Sequence, residues 1–331
     1  DAYEEALAER KLDTGAESFH SDNNQKAITL LGATQTITAK LTYEGKTTEV
    51  ALKELDFSLQ KAYDLYRLML LLLVEICRRA ERVDAARKAK KLRVGGGDAP
   101  SNDRLLANNL FLKQLSENEA LLEFEAAQKW NWNSEDTFLK KIYDAWLSDD
   151  LFLRYVDTKE HDYEADRELV RKLYKNHVEK SDEFDALLEE QSLYWNDDKE
   201  IVDSFVLKTI KRFQPENGAA QELLPAYAAQ EDQEFAGRLF KTTIERCDEL
   251  RDLIKGSTKK WQFSRIAFMD LVIMQIALAE MLEFPSIPLN VTFNEYLDIA
   301  KIYSTPRSAG FIHGMIDGIT KRLQEDGVLL K

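Results

Sequence analysis

Paired acidic residues recur along the middle of the chain and are the first candidates for general acid–base or metal chemistry. They occur at Ser134-Glu135-Asp136, Asp149-Asp150, Ser181-Asp182, which Glu183 follows, and Asp197-Asp198. Paired carboxylates can exchange a proton with a substrate or bind a divalent cation. Each pair also precedes a segment of helical periodicity, where acidic side chains cap the first turn and interact favourably with the helix dipole. We therefore interpret these pairs as helix starts.

The histidines and cysteines do not extend these pairs into a catalytic or metal site. The chain contains His20, His161, His177, His313, Cys77 and Cys247. None of them stands at metal-ligand spacing, and the sequence has neither a nucleophile elbow nor a dinucleotide-binding glycine fingerprint. We predict that the protein is not an enzyme and that it holds no cofactor and no metal.

A run of basic residues on a segment of helical periodicity is a candidate anion site. It comprises Arg78, Arg79, Arg82, Arg87, Lys88, Lys90, Lys91 and Arg93. Such runs are commonly solvated helix faces, but in an acidic chain this one is the best local site for a phosphate. The formal net charge of -14 repels nucleic acid at long range, so any RNA contact must be local. The predicted RNA-binding residues of the run are Arg78, Arg79 and Arg82.

A second candidate anion site lies further along, where Thr305-Pro306 is predicted to open a helix. The first amides of a helix carry the positive end of its dipole and bind anions. Basic, hydroxyl and aromatic side chains surround this start and could contact phosphate or stack on a base. The predicted RNA-binding residues here are Lys301, Arg307, Ser308 and Phe311. A capped helix with incidental surface charges is the alternative.

The elements that must position these residues are predicted to be helices. The 331 residues are 44% hydrophobic and include only 6 prolines and 13 glycines, which favours an all-α fold over a turn-rich β architecture. The longest apolar run, Leu68 to Val74, is too short to cross a bilayer, which needs about 20 residues. Because the two cysteines are distant and no secretory segment is evident, we expect a reducing, cytoplasmic location without membrane contact.

Helical periodicity and turn residues divide the chain. Helices are predicted over 52–92, 103–129, 135–147, 162–178, 182–193, 197–213, 231–246 and 250–255. Gly95-Gly96-Gly97 is interpreted as a linker, and the segment 214–225, which contains Pro and Asn-Gly, as the main structural joint. Apolar and polar residues alternate from Thr34 to Tyr43, which by period alone is a strand.

Residues 261–318 predict three further helices in close succession. The first has almost no polar face, so it should be central and covered on all sides, and Pro285 and Pro288 should end it. Its predicted core residues are Leu271, Ile273 and Ile276. The second helix is predicted to begin with a capping box formed by Thr292 and Glu295.

The third helix carries Gly310, Gly314 and Gly318 at a spacing of four residues, which places them on one face. Each glycine costs a helix about 1 kcal/mol against alanine, so something must offset the loss. Close packing of this face against a neighbouring helix is the predicted reason, and close approach of a ligand is the alternative.

Residues 261–318 contain a dense, ordered set of characteristic positions, which are Trp261, Arg265, Asp270, Pro288, Val291, Asn294, Glu295, Ala300, Lys301, Tyr303, Phe311 and Ile312. In these residues the stretch resembles the C-terminal half of the NusB family of bacterial transcription antitermination factors. The family's Asn-Gly before the last helical turns is His313-Gly314 here. A second region of resemblance lies within 52–80, particularly from Phe57 to Tyr66.

The resemblance implies an all-α, NusB-like helical bundle with an expanded helical region in the middle. Residues 1–50 would be an N-terminal segment of uncertain structure, 51–225 a helical half that contains an insertion over about 95–213, and 226–331 the C-terminal NusB-like half. The family's first helix would include the segment ending at Tyr43, which favours helix there over strand. The arginine-rich arm that precedes this helix in the family is not found in this stretch.

The resemblance also implies a function without catalysis. A NusB-like protein is an adaptor that binds boxA-type single-stranded RNA of ribosomal RNA transcripts together with NusE, a ribosomal protein, and so tethers the RNA to elongating RNA polymerase. A helical protein-binding scaffold without RNA affinity is one alternative. The other is an ancillary domain of a ribosomal RNA cytosine methyltransferase, against which the absence of a nucleotide-binding fold after Leu330 argues.

Overall fold

A computed structural model of the protein describes residues 47–94, 101–158, 161–192, 195, 198–227, 230–258 and 263–329. These residues form helices and turns and no strand, so the predicted all-α fold is confirmed for them. The chain divides into two compact units. The first contains the described residues up to Leu59 and those from Ala226 onward, and the second is Gln60–Pro225. The segment 34–43 and Trp261 lie outside the described residues.

The second unit is built from nine helices and two short 3-10 turns in its described part. The first helix, α1, begins in the first unit and continues into the second. The helices are α1 (Thr48–Val94), α2 (Asn102–Ala107), α3 (Leu110–Ser116), α4 (Glu119–Ala127), α5 (Asp136–Ser148), α6 (Asp150–Val156), α7 (Tyr163–His177), α8 (Asp182–Gln191) and α9 (Lys199–Arg212).

The single helix predicted over 103–129 is wrong, because the structure has three short helices there. Asn109 accepts a hydrogen bond from the amide of Leu112 at 2.9 Å, and Asn118 accepts one from the amide of Leu121 at 3.1 Å. An asparagine that satisfies the free amides of a new helix start interrupts the helix before it. Apolar periodicity continues across these breaks, which is why the pattern alone did not show them.

Tryptophans contribute to the core of the second unit. Trp132, Trp146 and Trp195 are buried. The indole N–H of Trp132 donates to the carbonyl of Leu68 at 2.7 Å, and that of Trp195 donates to the carbonyl of Lys61 at 3.0 Å. These indoles are therefore part of the packing of α1 and are not exposed stacking platforms.

The first unit is organised around one central helix, α12. Its helices after residue 226 are α10 (Gln230–Glu245), α11 (Cys247–Gly256), α12 (Phe268–Glu283), α13 (Leu289–Tyr303) and α14 (Ser308–Glu325). Every side chain from Asp270 to Met281 is buried, and α12 packs against each of the other four helices. The predicted central position, and the predicted burial of Leu271, Ile273 and Ile276, are thus confirmed.

Two predicted helix starts in this unit are wrong. Helix α13 begins a turn early, with Pro288 as its N-cap, so Thr292 lies inside the helix and caps nothing. The Thr292 hydroxyl instead donates to the fully buried carboxylate of Glu280 at 2.8 Å, because a buried carboxylate requires hydrogen-bond donors. Helix α14 begins at Ser308, after a turn in which the Ser308 amide donates to the Thr305 carbonyl at 2.9 Å.

The glycine face of α14 is exposed. A methyl group built on Gly310, Gly314 or Gly318 would meet no described atom within 4 Å. The predicted close packing of this face against a helix is therefore wrong for the part of the chain that the structure describes. A leucine at position 314 would therefore displace no described helix from this face.

An alanine at position 314 is expected to stabilise the protein. Because Gly314 is helical and exposed with open space around it, Gly314→Ala should raise the free energy of unfolding by about 1 kcal/mol. Gly327→Ala is the matched control. Gly327 follows α14 with a φ of 69°, a conformation that is unfavourable for alanine, so this variant should lower the free energy of unfolding by about 1 kcal/mol. Urea denaturation of both variants tests this, and a destabilised Gly314→Ala would show that the face is covered.

Candidate nucleic-acid interface

A groove of about 450 Å³ opens in the first unit at the start of helix α14. It is lined by Thr258, Arg265, Ile266, Ala267, Asp270, Thr305, Arg307, Ser308, Phe311 and Met315. Three of the four residues that the sequence predicted around this helix start, Arg307, Ser308 and Phe311, therefore lie together. The fourth, Lys301, is exposed on α13, outside the groove lining, and its ammonium group is 2.7 Å from Asp298.

Two arginines and an aromatic ring line the groove. Arg265 and Arg307 are exposed, and the side chain of Phe311 is 40% exposed, so its ring is accessible to solvent. Helix α14 adds the positive end of its dipole. The groove thus combines cationic groups for phosphate with a ring on which a base could stack.

Ser308 is placed differently from its neighbours. It is buried, and its hydroxyl donates to the carboxylate of Asp270 at 3.1 Å. Its amide is also engaged, with the Thr305 carbonyl, so a phosphate at this helix start would meet the amides of Ala309 and Gly310 instead. Ser308 therefore contributes to the shape of the groove floor more than to its charge.

Arg265 and Asp270 belong to the groove, although the sequence pointed to neither as a contact residue. Both lie at or just before the start of α12, whereas Arg307 and Phe311 lie at the start of α14. The meeting of two helix starts that are far apart in sequence depends on tertiary packing, which periodicity does not encode. The only indication in the sequence was that Arg265 and Asp270 are both among the residues that carry the family resemblance.

The arginines predicted on the basic run belong to the second unit and already have carboxylate partners. Arg78 contacts Glu75 and Glu125, each at 2.6 Å, and Arg79 contacts Asp136 at 2.6 Å. The weaker pair, between Arg82 and Glu75, is 3.8 Å long. The hydrogen bond to Glu125 is the main cause that raises the pKa of Arg78 above its ordinary value.

Two further basic residues of this run are also paired with carboxylates. Arg87 lies 2.6 Å from Asp103, and Lys88 lies 2.7 Å from Asp84. A phosphate would have to compete with these acidic side chains for the guanidinium and ammonium groups. The run is consequently a weaker anion site than its sequence suggests. Lys91 and Arg93 are outside the residues whose side chains the structure describes.

Removal of Arg78 is expected to affect stability. Arg78→Ala should lower the free energy of unfolding by about 1–3 kcal/mol, because the Glu75 side chain is only 3% exposed and would lose its closest cation. Urea denaturation measures the change, with Lys140→Ala on the exposed side of α5 as a control that should shift it by less than about 0.5 kcal/mol. Equal stability of both variants would contradict a structural role for Arg78.

The acidic pairs of the second unit act at helix starts where the structure shows their contacts. Asp149 accepts from the amide of Leu151 at 2.7 Å and caps α6, and Ser181 accepts from the amide of Phe184 at 3.2 Å and caps α8. Glu135 and Asp198 also precede helices, α5 and α9, but their side chains make no capping hydrogen bond.

Within the described ranges, no group of His, Cys, Asp and Glu could hold a metal ion. None of the helices described is long and apolar enough to span a membrane.

Comparison with known proteins decides the family. A sequence profile of the NusB family matches residues 207–321. The transcription antitermination protein NusB of Salinibacter ruber is 35% identical over 132 residues, which are 38% of this chain and 82% of that protein. The chain belongs to the NusB family.

Other NusB proteins agree with this assignment. The transcription antitermination protein NusB of Finegoldia magna is 37% identical over 91 residues, which are 28% of this chain and 66% of that protein. That of Geobacter sulfurreducens is 38% identical over 93 residues, which are 28% of this chain and 67% of that protein. No solved structure matches the chain.

The chain is longer than these NusB proteins, and it carries an extra helical region. The profile match begins within α9 and contains α10, α11, α12 and α13 and the part of α14 up to Lys321. The groove therefore lies in the part of the chain that the NusB family shares. The resemblance over 52–80 and the placement of an insertion over about 95–213 stay predictions.

Proposed function

We propose that this NusB-family protein is a transcription antitermination adaptor that binds boxA-type single-stranded RNA together with NusE. The observation that carries the proposal is the groove of the NusB-like region, where Arg265, Arg307 and Phe311 stand together at a helix start. RNA phosphates would contact the two guanidinium groups, and a base would stack on the ring. Lys301 would contact the strand beside the groove.

The acidic balance of the chain fits an adaptor with a protein partner. A net charge of -14 favours the docking of a basic protein such as NusE, and the local cationic groove provides the surface for RNA. Through this pair of contacts the protein would hold the transcript near elongating RNA polymerase, in the cytoplasm and without a catalytic step. Arg78, Arg79 and Arg82 would make at most secondary RNA contacts, because their guanidinium groups are paired.

A protein-binding scaffold without RNA affinity is the second candidate. The observation that favours it is the pairing of the basic run with Glu75, Asp84, Asp103, Glu125 and Asp136, which leaves this acidic protein little unpaired positive charge there.

Fluorescence anisotropy of a labelled boxA-type RNA separates the two candidates. The adaptor should bind the single strand in preference to a duplex of the same sequence, more tightly with NusE present, and with an affinity that falls as salt increases. Binding of NusE without any binding of the RNA, alone or in the joint complex, would support the scaffold and overturn the RNA proposal.

A further inference from the structure

One buried carboxylate connects three helix ends at the floor of the groove. Asp270 lies in the first turn of α12 and is 6% exposed. The hydroxyl of Ser304, the C-cap residue of α13, donates to Asp270 Oδ1, and that of Ser308, the first residue of α14, donates to Oδ2. Thr305 lies between them, with its hydroxyl 2.8 Å from that of Ser308.

Among the described residues, the side-chain hydrogen bonds at the start of α14 centre on Asp270. Arg307, its N-cap residue, makes no side-chain cap bond, and the glycine at 310 removes a side chain from the first turn. The hydrogen bonds to Asp270 are thus the principal polar contacts that set the position of the turn from Ser304 to Ser308. That turn carries Arg307, and Phe311 follows it by one helical turn.

We propose that Asp270 is a positioning residue for the RNA groove, which holds Arg307 and Phe311 at the distance and orientation that a nucleotide requires. The proposal rests on the proposed function and adds a residue that acts through others. Asp270 itself would not touch the RNA, and its hydrogen bonds, not its charge, would favour binding. The charge would oppose binding, since a carboxylate beside a phosphate is repulsive.

Two substitutions separate the hydrogen bonds from the charge. Asp270→Ala and Asp270→Asn remove the same negative charge. Asparagine keeps one oxygen that accepts from a serine hydroxyl and gains an NH₂ group that can donate to the other hydroxyl oxygen, whereas alanine keeps neither bond. If only charge mattered, both variants would bind RNA as tightly as the parent or more tightly. If position matters, the two must differ.

Two readouts on the full chain test the proposal. For a boxA-type RNA measured by anisotropy, Asp270→Ala should bind about tenfold more weakly than Asp270→Asn, because only asparagine keeps hydrogen bonds to the two serine hydroxyls, and Asp270→Asn should bind at least as tightly as the parent. Hydrogen exchange should be faster over residues 305–312 in Asp270→Ala than in Asp270→Asn. Of the two serine hydrogen bonds to Asp270, Ser308→Ala removes only the one to Oδ2, so its RNA affinity and its rate of hydrogen exchange should lie between those of the two Asp270 variants.

The outcomes are distinguishable. Equal RNA affinity and equal exchange of the alanine and asparagine variants would overturn the positioning role while leaving the proposed function intact. If the parent binds no RNA, the proposed function fails, and the positioning of an RNA groove fails with it, even where exchange shows that Asp270 holds the junction. If Asp270→Ala does not fold, Ser304→Ala and Ser308→Ala decide, because each should weaken RNA binding and their double variant should match neither the parent nor Asp270→Asn.

Discussion

Ile276→Ala is expected to lower the free energy of unfolding by about 2–5 kcal/mol. Ile276 is fully buried at the middle of α12, the helix that contacts every other helix of the first unit after residue 226. Removal of its side chain takes away apolar packing and leaves a cavity that close-packed neighbours cannot fill. Because this helix holds the start of α14 through Asp270, the substitution should also loosen the groove.

Phe268→Ala on the same helix is the matched control. The Phe268 ring is 47% exposed, so its removal should cost well under half as much, although the deleted side chain is larger. Urea denaturation of the two variants followed by circular dichroism gives both values. A larger destabilisation by Phe268→Ala than by Ile276→Ala would mean that α12 is not the centre of the unit.

Reversal of charge at the groove is expected to have the largest effect on RNA. Arg307→Glu combined with Lys301→Glu should weaken binding of a boxA-type single strand by about tenfold or more for each charge-assisted hydrogen bond that the substitutions remove. The dependence of the logarithm of affinity on the logarithm of salt concentration should also flatten, by about 0.7 for each phosphate that is no longer neutralised. Anisotropy over a salt series measures both effects.

The control for that variant must change the net charge equally. Lys241→Glu combined with Lys321→Glu does so at exposed positions outside the groove, on α10 and α14, where both lysines form i,i+4 pairs. This control should keep the parent's salt dependence and most of its affinity. If both double variants weaken RNA binding equally, the effect is that of total charge, and the groove is not the RNA site.

The helices and the central core could be predicted because they follow from periodicity within single segments. Twelve consecutive buried residues in α12 appear in the sequence as a helix without a polar face. The helix breaks at Asn109 and Asn118 could not be separated from ordinary polar positions, since an asparagine side chain caps a helix only when the backbone turns there.

The site was harder to predict because its features depend on partners distant in sequence. The spacing of Gly310, Gly314 and Gly318 shows that they share a face, but not that the face is open. The run of arginines shows positive charge, but not that Asp136 or Asp103 folds against it. For Asp270 the sequence suggested too little: nothing in its neighbours along the chain indicated that it joins three helix ends at the groove.

Photo-crosslinking of a boxA-type RNA that carries 4-thiouridine, followed by mass spectrometry of the peptides, shows directly whether RNA lies in the groove. We expect cross-links within residues 263–268 and 305–315, which contain Arg265, Arg307 and Phe311. Arg307→Glu combined with Lys301→Glu should reduce them. Cross-links confined to α1 around Arg78–Lys90, or to the second unit in general, would contradict the groove as the RNA-binding surface of this NusB-family protein.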